Sequence, residues 1–565
     1  MNLKCSHPVP ALRLLIAAAF LFFSIPSPRA ELATGRQGMA ATVHPLATEA
    51  ALAAMRKGGN AVDAAVAAAL TLGVVDGHNS GIGGGCLMLL RLANGSILAL
   101  DGRETAPAAA TRDMFIRAGQ ADSRLSQTGA LAAGVPGSLA VYDYVLKRHG
   151  TFSLKAHLEA AARTAENGFA LSRSYAERLA ATAAELKQFP AARSIFLRAD
   201  GQPWVAGDLL KQPDLARSYR AIAQDGIAWF YGGTFARSVE EWMRLNGGML
   251  KAADFQAYRM KLREPLRTMY RQCEIVGFPP PSSGGMHVAQ ILNILEPFNL
   301  RTMPPSSADF IHVTAEAMKL AFADRAFWLG DSDFVGVPRG LFSKEYARTL
   351  ANQIRLDRVT PVLQHGTPAD ARQNIIGKHT THFSTADAAG NWVACTATIN
   401  TSFGSKVVVP GTGILLNNQM DDFSIQPGTA NFFGLVGADA NAIAPGKRPL
   451  SSMSPTIVLK EGRPILAVGA AGGPTIISQT LLAILNTIDF GMPLDQALAQ
   501  PRFHHQWKPD ELVIESRANP EAIRELEKRG HKVRLVEALG ATQAVGVDGK
   551  KDELVGVHDP RVEGR

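Results

Sequence analysis

The sequence predicts an α+β fold, in which helices and hairpin strands occupy separate stretches of the 565-residue chain. Two adjacent helices are indicated at residues 47–57 and 61–75, a strand hairpin at 87–101, and a second strand pair at 381–400. The content of 46% hydrophobic and 19% charged residues is that of an ordinary globular chain, long enough to form more than one core.

The two early helices carry their own boundary signals. The first ends at Gly58-Gly59, a typical helix C-terminus, and Asn60 is placed to cap the second helix, with the acidic Asp63 at its third position. Residues 61–75 are apolar nearly all round, which predicts a buried helix. Residues 111–254 read as Ala-rich helices and turns, and further helices are expected near 288–295 and 315–328.

A glycine cluster at residues 81–85 leads into the first hairpin, whose turn is Asn94-Gly95. A phosphate-binding loop and close backbone packing both require glycines. Neither GxGxxG nor GxxxxGK[ST] occurs in the chain, so close packing at a strand entrance is favoured.

The second strand pair sets two threonines opposite each other. If residues 387–391 form its loop, Ala386 faces Trp392, and the same register places Thr380 opposite Thr398, with Asn400 on the same face as Thr398. The polar stretch 356–377 before it has no clear period and is predicted to be a loop. Thr380 therefore stands where a loop meets a strand.

Thr380 becomes a catalyst if the peptide bond before it is cut, because the freed amine can serve as the general base for its own hydroxyl. Ordinary pairing of threonines across two strands explains the same pattern. The pattern alone favours this second explanation.

The N-terminal segment and the net charge limit where the protein can act and what it can bind. Lys4 and Arg13 precede an apolar run at residues 14–25, which predicts an export signal over residues 1–30, with an uncleaved signal anchor as the alternative. Removing the three positive charges of that segment from +8 leaves +5. The remaining basic residues are scattered among acids, so no nucleic-acid partner is expected.

Three segments carry a resemblance to a known family: residues 379–384 (His-Thr-Thr-His-Phe-Ser), residues 414–424 (Ile-Leu-Leu-Asn-Asn-Gln-Met-Asp-Asp-Phe-Ser) and residues 447–455 (Lys-Arg-Pro-Leu-Ser-Ser-Met-Ser-Pro). They are similar to gamma-glutamyltranspeptidase. The similarity continues through residues 58–65, 101–104, 280–285, 471–473 and 501–507, and so covers essentially the whole exported chain.

The resemblance implies an N-terminal-nucleophile hydrolase with a four-layer αββα sandwich. It implies a precursor that cuts itself between His379 and Thr380 into a large subunit, residues 31–379, and a small subunit, residues 380–565, which stay together in one fold. It implies glutathione and other γ-glutamyl compounds as donors, with water, amino acids or short peptides as acceptors. No cofactor and no metal are expected.

The resemblance also implies roles for individual residues. Thr398 would orient the nucleophile Thr380, and the backbone of Gly472 and Gly473 would form the oxyanion hole. The α-carboxylate of the donor would be held by Arg103, Ser451 and Ser452, and its α-ammonium by Asn400, Gln419 and Asp422. Without the resemblance, a surface charge is the favoured explanation of Arg103, and turns are the favoured explanation of the serine pair and the glycine pair.

Two positions depart from the family pattern. Gly102 stands where relatives often carry an aromatic residue, and Phe433, in a lid expected at residues 426–438, stands where a gating tyrosine is often found. A phenyl ring cannot donate a hydrogen bond to Asn400, so a looser gate is expected, with either altered acceptor choice or a higher share of hydrolysis. The neighbouring His504 and His505 lack a third ligand at metal spacing and are interpreted as structural.

Two alternatives remain open at this level. A glutaryl or cephalosporin side-chain acylase is a sister activity, but its acyl group lacks the α-ammonium and would leave Asp422 without a cationic partner. An inactive exported homologue that only binds γ-glutamyl compounds is the other.

Overall fold

The computed structural model describes residues 30–369 and 381–562. The expected signal segment, apart from Ala30, and both residues of the expected cleavage site, His379 and Thr380, lie outside the described residues. No helix within the described ranges is long and apolar enough to cross a membrane.

The strands of the described residues are β1 (Glu31–Gly35), β2 (Gly38–Ala41), β3 (Gly85–Arg91), β4 (Ile97–Gly102), β5 (Ile116–Arg117), β6 (Gln120–Ala121), β7 (Phe169–Ala170), β8 (Leu209–Leu210), β9 (Lys261–Arg263), β10 (Leu266–Tyr270), β11 (Cys273–Gly277), β12 (Thr381–Asp387), β13 (Trp392–Thr398), β14 (Thr456–Lys460), β15 (Arg463–Ala471), β16 (Phe503–His504), β17 (Leu512–Glu515), β18 (Val533–Val536), β19 (Ala541–Asp548) and β20 (Glu553–His558).

The helices are α1 (Pro45–Arg56), α2 (Ala61–Val75), α3 (Ser123–Gln127), α4 (Ser138–His149), α5 (Leu154–Asn167), α6 (Arg173–Leu186), α7 (Pro190–Phe196), α8 (Pro213–Asp225), α9 (Ala228–Tyr231), α10 (Thr234–Asn246), α11 (Ala252–Ala257), α12 (Ser283–Leu295), α13 (Ala308–Trp328), α14 (Lys344–Ala351), α15 (Thr475–Ile488), α16 (Leu494–Ala499) and α17 (Pro520–Lys528).

Two antiparallel sheets form the centre of the molecule. One has seven strands in the order β1-β20-β19-β15-β14-β11-β10, and the other has six in the order β2-β12-β13-β3-β4-β9. They pack face to face through an apolar layer that includes Leu89, Trp392 and Ile457. Alternation along each strand sends every second side chain into this layer and the others outward.

Helices cover both outer faces. The buried α2 packs on the six-stranded sheet together with α1 and α4. On the other side, α12 and α15 pack on the seven-stranded sheet, and α13 packs on α12. The layers therefore run helix, sheet, sheet, helix, and the predicted αββα sandwich is confirmed.

The local signals near the start of the chain are confirmed. The Asn60 side chain accepts hydrogen bonds from the N–H groups of Val62 and Asp63, and the Asp63 carboxylate accepts the Asn60 N–H in return, a complete capping box. All fifteen residues of α2 are buried. The strands β1 and β2, which pair with β20 and β12, were not anticipated, because each is short and lies at a sheet edge.

The glycine cluster packs against backbone, as expected. A side chain on Gly83 would strike the Leu415 carbonyl, and one on Gly84 would strike the Thr398 carbonyl. These glycines therefore let the chain at the start of β3 lie close to the end of β13 and to Leu415.

The strand pairing joins the two parts of the chain that a cut before Thr380 would separate. β12 and β13 lie between β2 and β3 in the six-stranded sheet, and β14, β15, β19 and β20 lie between β1 and β11 in the other. Neither part contains all the strands of either of these two large sheets.

Candidate active site

Strand ends and loops at one edge of the sandwich bring the predicted residues together. Arg103 directly follows β4, and Thr398 is the last residue of β13. Gln419 and Asp422 lie on a single 3-10 turn, Gln419–Asp422. The serine pair precedes β14, and the glycine pair lies between β15 and α15. A rigid sheet thus presents loop residues at its rim, where binding groups are commonly placed.

The register of the second strand pair is the predicted one. Ala386 pairs with Trp392 and Thr381 with Ala397. The expectation that β13 continues to Asn400 is wrong. The strand ends at Thr398, because Asn400 adopts a positive φ of 79° and its N–H turns back to donate to the Thr398 hydroxyl at 2.7 Å.

Arg103 is fully buried and forms an ion pair with Asp422, with 2.5 Å between Nη2 and Oδ2. Its Nε donates to the Pro449 carbonyl at 3.1 Å, and its Nη1 lies 3.4 Å from the Glu104 carboxylate. Arg103 is therefore not a surface charge. Removing either member of such a buried pair leaves the other charge uncompensated.

Asp422 accepts a second hydrogen bond from Gln419 Nε2 at 3.0 Å. Burial raises the pKa of Asp422 to about 7, although the neighbouring Arg103 guanidinium acts to lower it. The sequence assigned Arg103 and Asp422 to opposite charges of one ligand. In the structure these two side chains neutralise each other.

Arg448 and Asp101 fix the backbone of Arg103. Arg448 Nη1 donates to the Arg103 carbonyl and to Asp101 Oδ1, each at 2.8 Å, and the Arg103 N–H donates to the same carboxylate at 2.9 Å. The Tyr258 hydroxyl also donates to the Arg103 carbonyl, at 2.8 Å. Both backbone groups of Arg103, the N–H and the carbonyl, are thus fixed by hydrogen bonds.

The serine pair is buried next to this cluster. The Ser451 hydroxyl accepts the Met453 N–H at 3.1 Å, and its carbonyl accepts the Ser283 hydroxyl at 2.8 Å. Ser452 Oγ has no hydrogen-bond partner among the residues that the structure describes. A buried hydroxyl without a partner is rare, and it leaves Ser452 able to bond a ligand.

A cavity of about 430 Å³ opens beside the cluster. Its walls include Thr381, Asn400, Phe433, Gly472 and Gly473. The two glycines have positive φ values of 129° and 62°, and among the hydrogen bonds of the described residues neither glycine N–H is a donor. Backbone N–H groups of this kind can receive an oxyanion at the cavity wall.

The structure therefore brings the predicted residues into two adjoining parts. Asn400 and the glycines line the open cavity, whereas Arg103, Gln419, Asp422, Ser451 and Ser452 form a buried polar cluster that does not line it. Asn400 joins the two, because its Nδ2 donates to the carbonyl of Asn418, which directly precedes Gln419. In the described part of the chain, the Asn400 Oδ1 has no hydrogen-bond partner.

Sequence reasoning missed Arg325, which lies on α13 with only 1% of its surface exposed. Its Nε donates to the Ser283 hydroxyl at 3.3 Å, and its charge interacts with that of Asp422. Its Nη2 has no hydrogen-bond partner within residues 30–369 and 381–562. Burial lowers the pKa of Arg325 to about 9. An arginine inside a helix buried over most of its length was the available signal.

The positions that depart from the family pattern have structural explanations. A side chain on Gly102 would meet Val141 Cγ2 at 2.7 Å, so α4 occupies the space where an aromatic residue was expected. Phe433 packs over Gly473, where an added Cβ would lie 2.6 Å from the ring. His504 contacts Ser478 and Gln506, and His505 contacts Asp510, so both histidines are engaged in protein contacts.

Comparisons with known proteins agree on one family. The family model described as Gamma-glutamyltranspeptidase matches residues 47–565. A "Glutathione hydrolase proenzyme" of Escherichia coli is 45% identical over 93% of this chain and 90% of its own length. An "Acylase ACY 1 proenzyme" of a Pseudomonas species is 40% identical over 91% and 90%. A cephalosporin acylase from Bacillus halodurans superposes with a TM-score of 0.85 at 28% identity, over 100% of this chain and 99% of that one.

Proposed function

The chain belongs to the gamma-glutamyltranspeptidase family of enzymes, and from that premise we propose that it hydrolyses glutathione and other γ-glutamyl amides and transfers the γ-glutamyl group to amino acids or short peptides. The observation that carries this proposal is the buried Arg103–Asp422 ion pair. A γ-glutamyl group brings one carboxylate and one ammonium, which are the charges that this pair matches.

Binding exchanges the ion pair for two substrate contacts. The donor carboxylate takes the place of Asp422 beside Arg103, and the donor ammonium pairs with Asp422 and the Gln419 amide. Because the charges enter together, neither protein group is left buried alone. Ser452 Oγ, which lacks a partner, offers the carboxylate a further hydrogen bond.

Maturation supplies the nucleophile. The Thr380 hydroxyl attacks the His379 carbonyl, the acyl group moves from nitrogen to oxygen, and water cleaves the resulting ester. This releases the His379 carboxylate and the Thr380 amine. The products are the large subunit, residues 31–379, and the small subunit, residues 380–565.

Turnover then follows the same chemistry on the substrate. The Thr380 amine accepts the proton of its own hydroxyl, and the oxygen attacks the γ-carbonyl. The Gly472 and Gly473 N–H groups receive the oxyanion. The leaving amine takes the proton and departs, and water or an acceptor amine cleaves the acyl ester. Thr398, which already accepts the Asn400 N–H, orients the Thr380 hydroxyl.

An acylase acting on glutaryl amides is the second candidate, since relatives named acylases are 40% identical to the chain. From the sequence, a glutaryl group was expected to leave Asp422 without a cationic partner. In the structure without a ligand, however, Asp422 is paired with Arg103. A glutaryl carboxylate that takes Arg103 separates this pair and provides no ammonium in exchange. The γ-glutamyl donor is favoured for that reason.

The proposed function also includes a location and partners for the protein. The expected signal over residues 1–30 supports export to the periplasm or the outside of the cell. The partners are small molecules and the two subunits of one precursor.

Activity on matched anilides tests the proposal. The wild type is expected to release the aniline from a γ-glutamyl anilide at least tenfold faster than from a glutaryl anilide, and Thr380→Ala is expected to be inactive on both. Preference for the glutaryl compound would establish the acylase. An inactive wild type that still binds glutathione would identify a binding protein.

A further inference from the structure

One wall of the cavity has no role in the reaction described above. Asp76, His78, Tyr175 and Arg178 line this wall, and we call these four residues the amine-side wall. Asp76 ends α2, His78 follows two residues later, and the other two lie one turn apart on α6.

Three of these side chains are buried yet incompletely bonded. Asp76, His78 and Tyr175 are 7%, 6% and 1% exposed. Within the described residues, no hydrogen bond engages Asp76 Oδ2, His78 Nδ1 or the Tyr175 hydroxyl, and His78 Nδ1 lies 3.5 Å from Asp76 Oδ1. Native proteins leave few buried polar atoms unpaired, and a group of three at a cavity wall indicates a site for a polar ligand.

Hydrogen bonds and ring packing hold the side chains of this wall in place. Asn79 Nδ2 donates to Asp76 Oδ1 at 2.9 Å and lies 3.1 Å from His78 Nε2, and the His78 and Tyr175 rings pack edge to face with centroids 4.3 Å apart. Burial raises the pKa of Asp76 to about 7 and lowers that of His78 to about 3. The wall therefore holds a neutral imidazole and a carboxyl with one oxygen committed.

The wall is continuous with the candidate active site. Ile399 donates its N–H to the Asn79 carbonyl at 3.0 Å, and Phe403 donates to the His78 carbonyl at 2.8 Å. These two bonds lie on either side of Asn400 in the chain. A ligand on the wall would therefore lie next to the segment that carries Asn400.

Charge identifies the end group of that ligand. Two arginines line the cavity, and Arg561 is already paired with Glu515 and Asp559. Among the described residues that line the cavity, Arg178 is the arginine that is not engaged in an ion pair, and its side chain is exposed. A carboxylate is its natural partner.

We propose that the amine-side wall binds the part of the substrate beyond the scissile amide: an amino acid or short peptide whose peptide groups bond Asp76, His78 and Tyr175 and whose terminal carboxylate pairs with Arg178. The same subsite receives the leaving amine and, in reverse, the acceptor. This inference rests on the proposed function and adds a second recognition site to it.

Paired substrates isolate the carboxylate contact. Hydrolysis of γ-glutamylglycine is compared with that of γ-glutamylglycinamide, which lacks only the terminal charge. The wild type is expected to favour the free carboxylate in kcat/KM by about fivefold, the worth of one partly exposed ion pair. Arg178→Gln is expected to bring the ratio close to one. Arg193→Gln, an exposed arginine on α7 that does not line the cavity, is expected to keep the wild-type ratio.

A second pair of substrates tests the buried groups. Asp76→Asn is expected to raise KM for γ-glutamylglycylglycine several-fold more than KM for a γ-glutamyl anilide, whose leaving group has no peptide bond. Equal changes in KM would show that Asp76 acts only on the fold. A wild-type carboxylate ratio of one, or an unaltered ratio in Arg178→Gln, would overturn the inference. If the wild type cleaves none of the γ-glutamyl compounds, the proposed function fails and this inference fails with it.

Discussion

At the scale of single residues, the main feature of the site is a buried pair of opposite charges. Arg103 and Asp422 are fully enclosed and are stabilised by each other. Their separation would be costly without a ligand, which makes the pair selective for a molecule that carries both opposite charges.

The Asp422→Asn variant tests this selectivity. The neutral amide cannot form an ion pair with an ammonium. Hydrogen bonds to charged groups contribute about 1.5–3 kcal/mol to stability or binding. We expect kcat/KM for a γ-glutamyl anilide to fall at least tenfold, and the preference over the glutaryl anilide to fall with it.

The neighbouring Asp421→Asn is the matched control. Asp421 is also buried, but it bonds the Ser126 hydroxyl and the Phe432 N–H. It is expected to lower stability while the γ-glutamyl preference stays. Loss of the preference in Asp421→Asn, or its retention in Asp422→Asn, would contradict the assignment of the ammonium to Asp422.

Phe433 provides a second test at this scale, at the gate of the cavity. No described residue bonds the Asn400 Oδ1, and a phenyl ring cannot donate a hydrogen bond to it. In Phe433→Tyr the added hydroxyl is expected to donate to Asn400, tighten the gate and raise the ratio of transfer to hydrolysis, measured with a γ-glutamyl anilide and glycylglycine.

Phe432→Tyr is the control for the gate, because this neighbouring ring is 57% exposed. The ratio of transfer to hydrolysis is expected to stay at the wild-type value. An unchanged ratio in Phe433→Tyr would remove the gate hypothesis.

At the scale of elements, the start of β12 is held against β15 by a buried histidine. His382 Nδ1 lies 3.0 Å from the Thr396 hydroxyl and Nε2 lies 2.9 Å from the Ser384 hydroxyl. Burial lowers the pKa of His382 to about 3, so the ring is neutral. Gly469 on β15 leaves room for the ring, since an added Cβ would overlap it.

The Gly469→Ala variant is therefore expected to destabilise the protein by about 1–3 kcal/mol, the usual cost of overpacking, and to lower its Tm. Gly549→Ala, at a loop position with open space around it, is expected to leave Tm unchanged. Adding His382→Ser to Gly469→Ala is expected to restore part of the loss. Equal Tm values for both alanine variants would show that the two sheets are not packed tightly at His382.

Several elements could be predicted from the sequence because their signals are local. The capping box of α2, the turn at Asn94-Gly95 and the register of β12 with β13 each depend on residues close in the chain. The short strands β1 and β2 could not be predicted, since their pairing partners lie more than 300 residues away. Asn400 leaves the strand because of a backbone angle that alternation does not encode.

The candidate site was predicted as a set of residues, not as a geometry. The family resemblance supplied Arg103 and Asp422, but their mutual ion pair depends on a contact 319 residues apart in sequence. Arg325 and the amine-side wall carried no motif. Their importance comes from burial and from polar atoms without partners, which only the folded chain reveals.

At the scale of the whole molecule, the topology explains how a cut chain could remain one protein. β12 and β13, which follow Thr380, lie in the middle of a sheet whose other strands precede it. Separation of the two parts would expose the apolar layers on both faces of that sheet. Cleavage is therefore expected to leave the two subunits associated.

The central claim is that Thr380 becomes the N-terminal nucleophile of a processed enzyme. Intact mass measurement under denaturing conditions, on protein that elutes as one species from a native sizing column, tests it most directly. The wild type is expected to give two chains, the smaller with the mass of residues 380–565, and Thr380→Ala a single uncut chain. A wild type that remains one uncut chain, or a cut at another bond, would contradict the account.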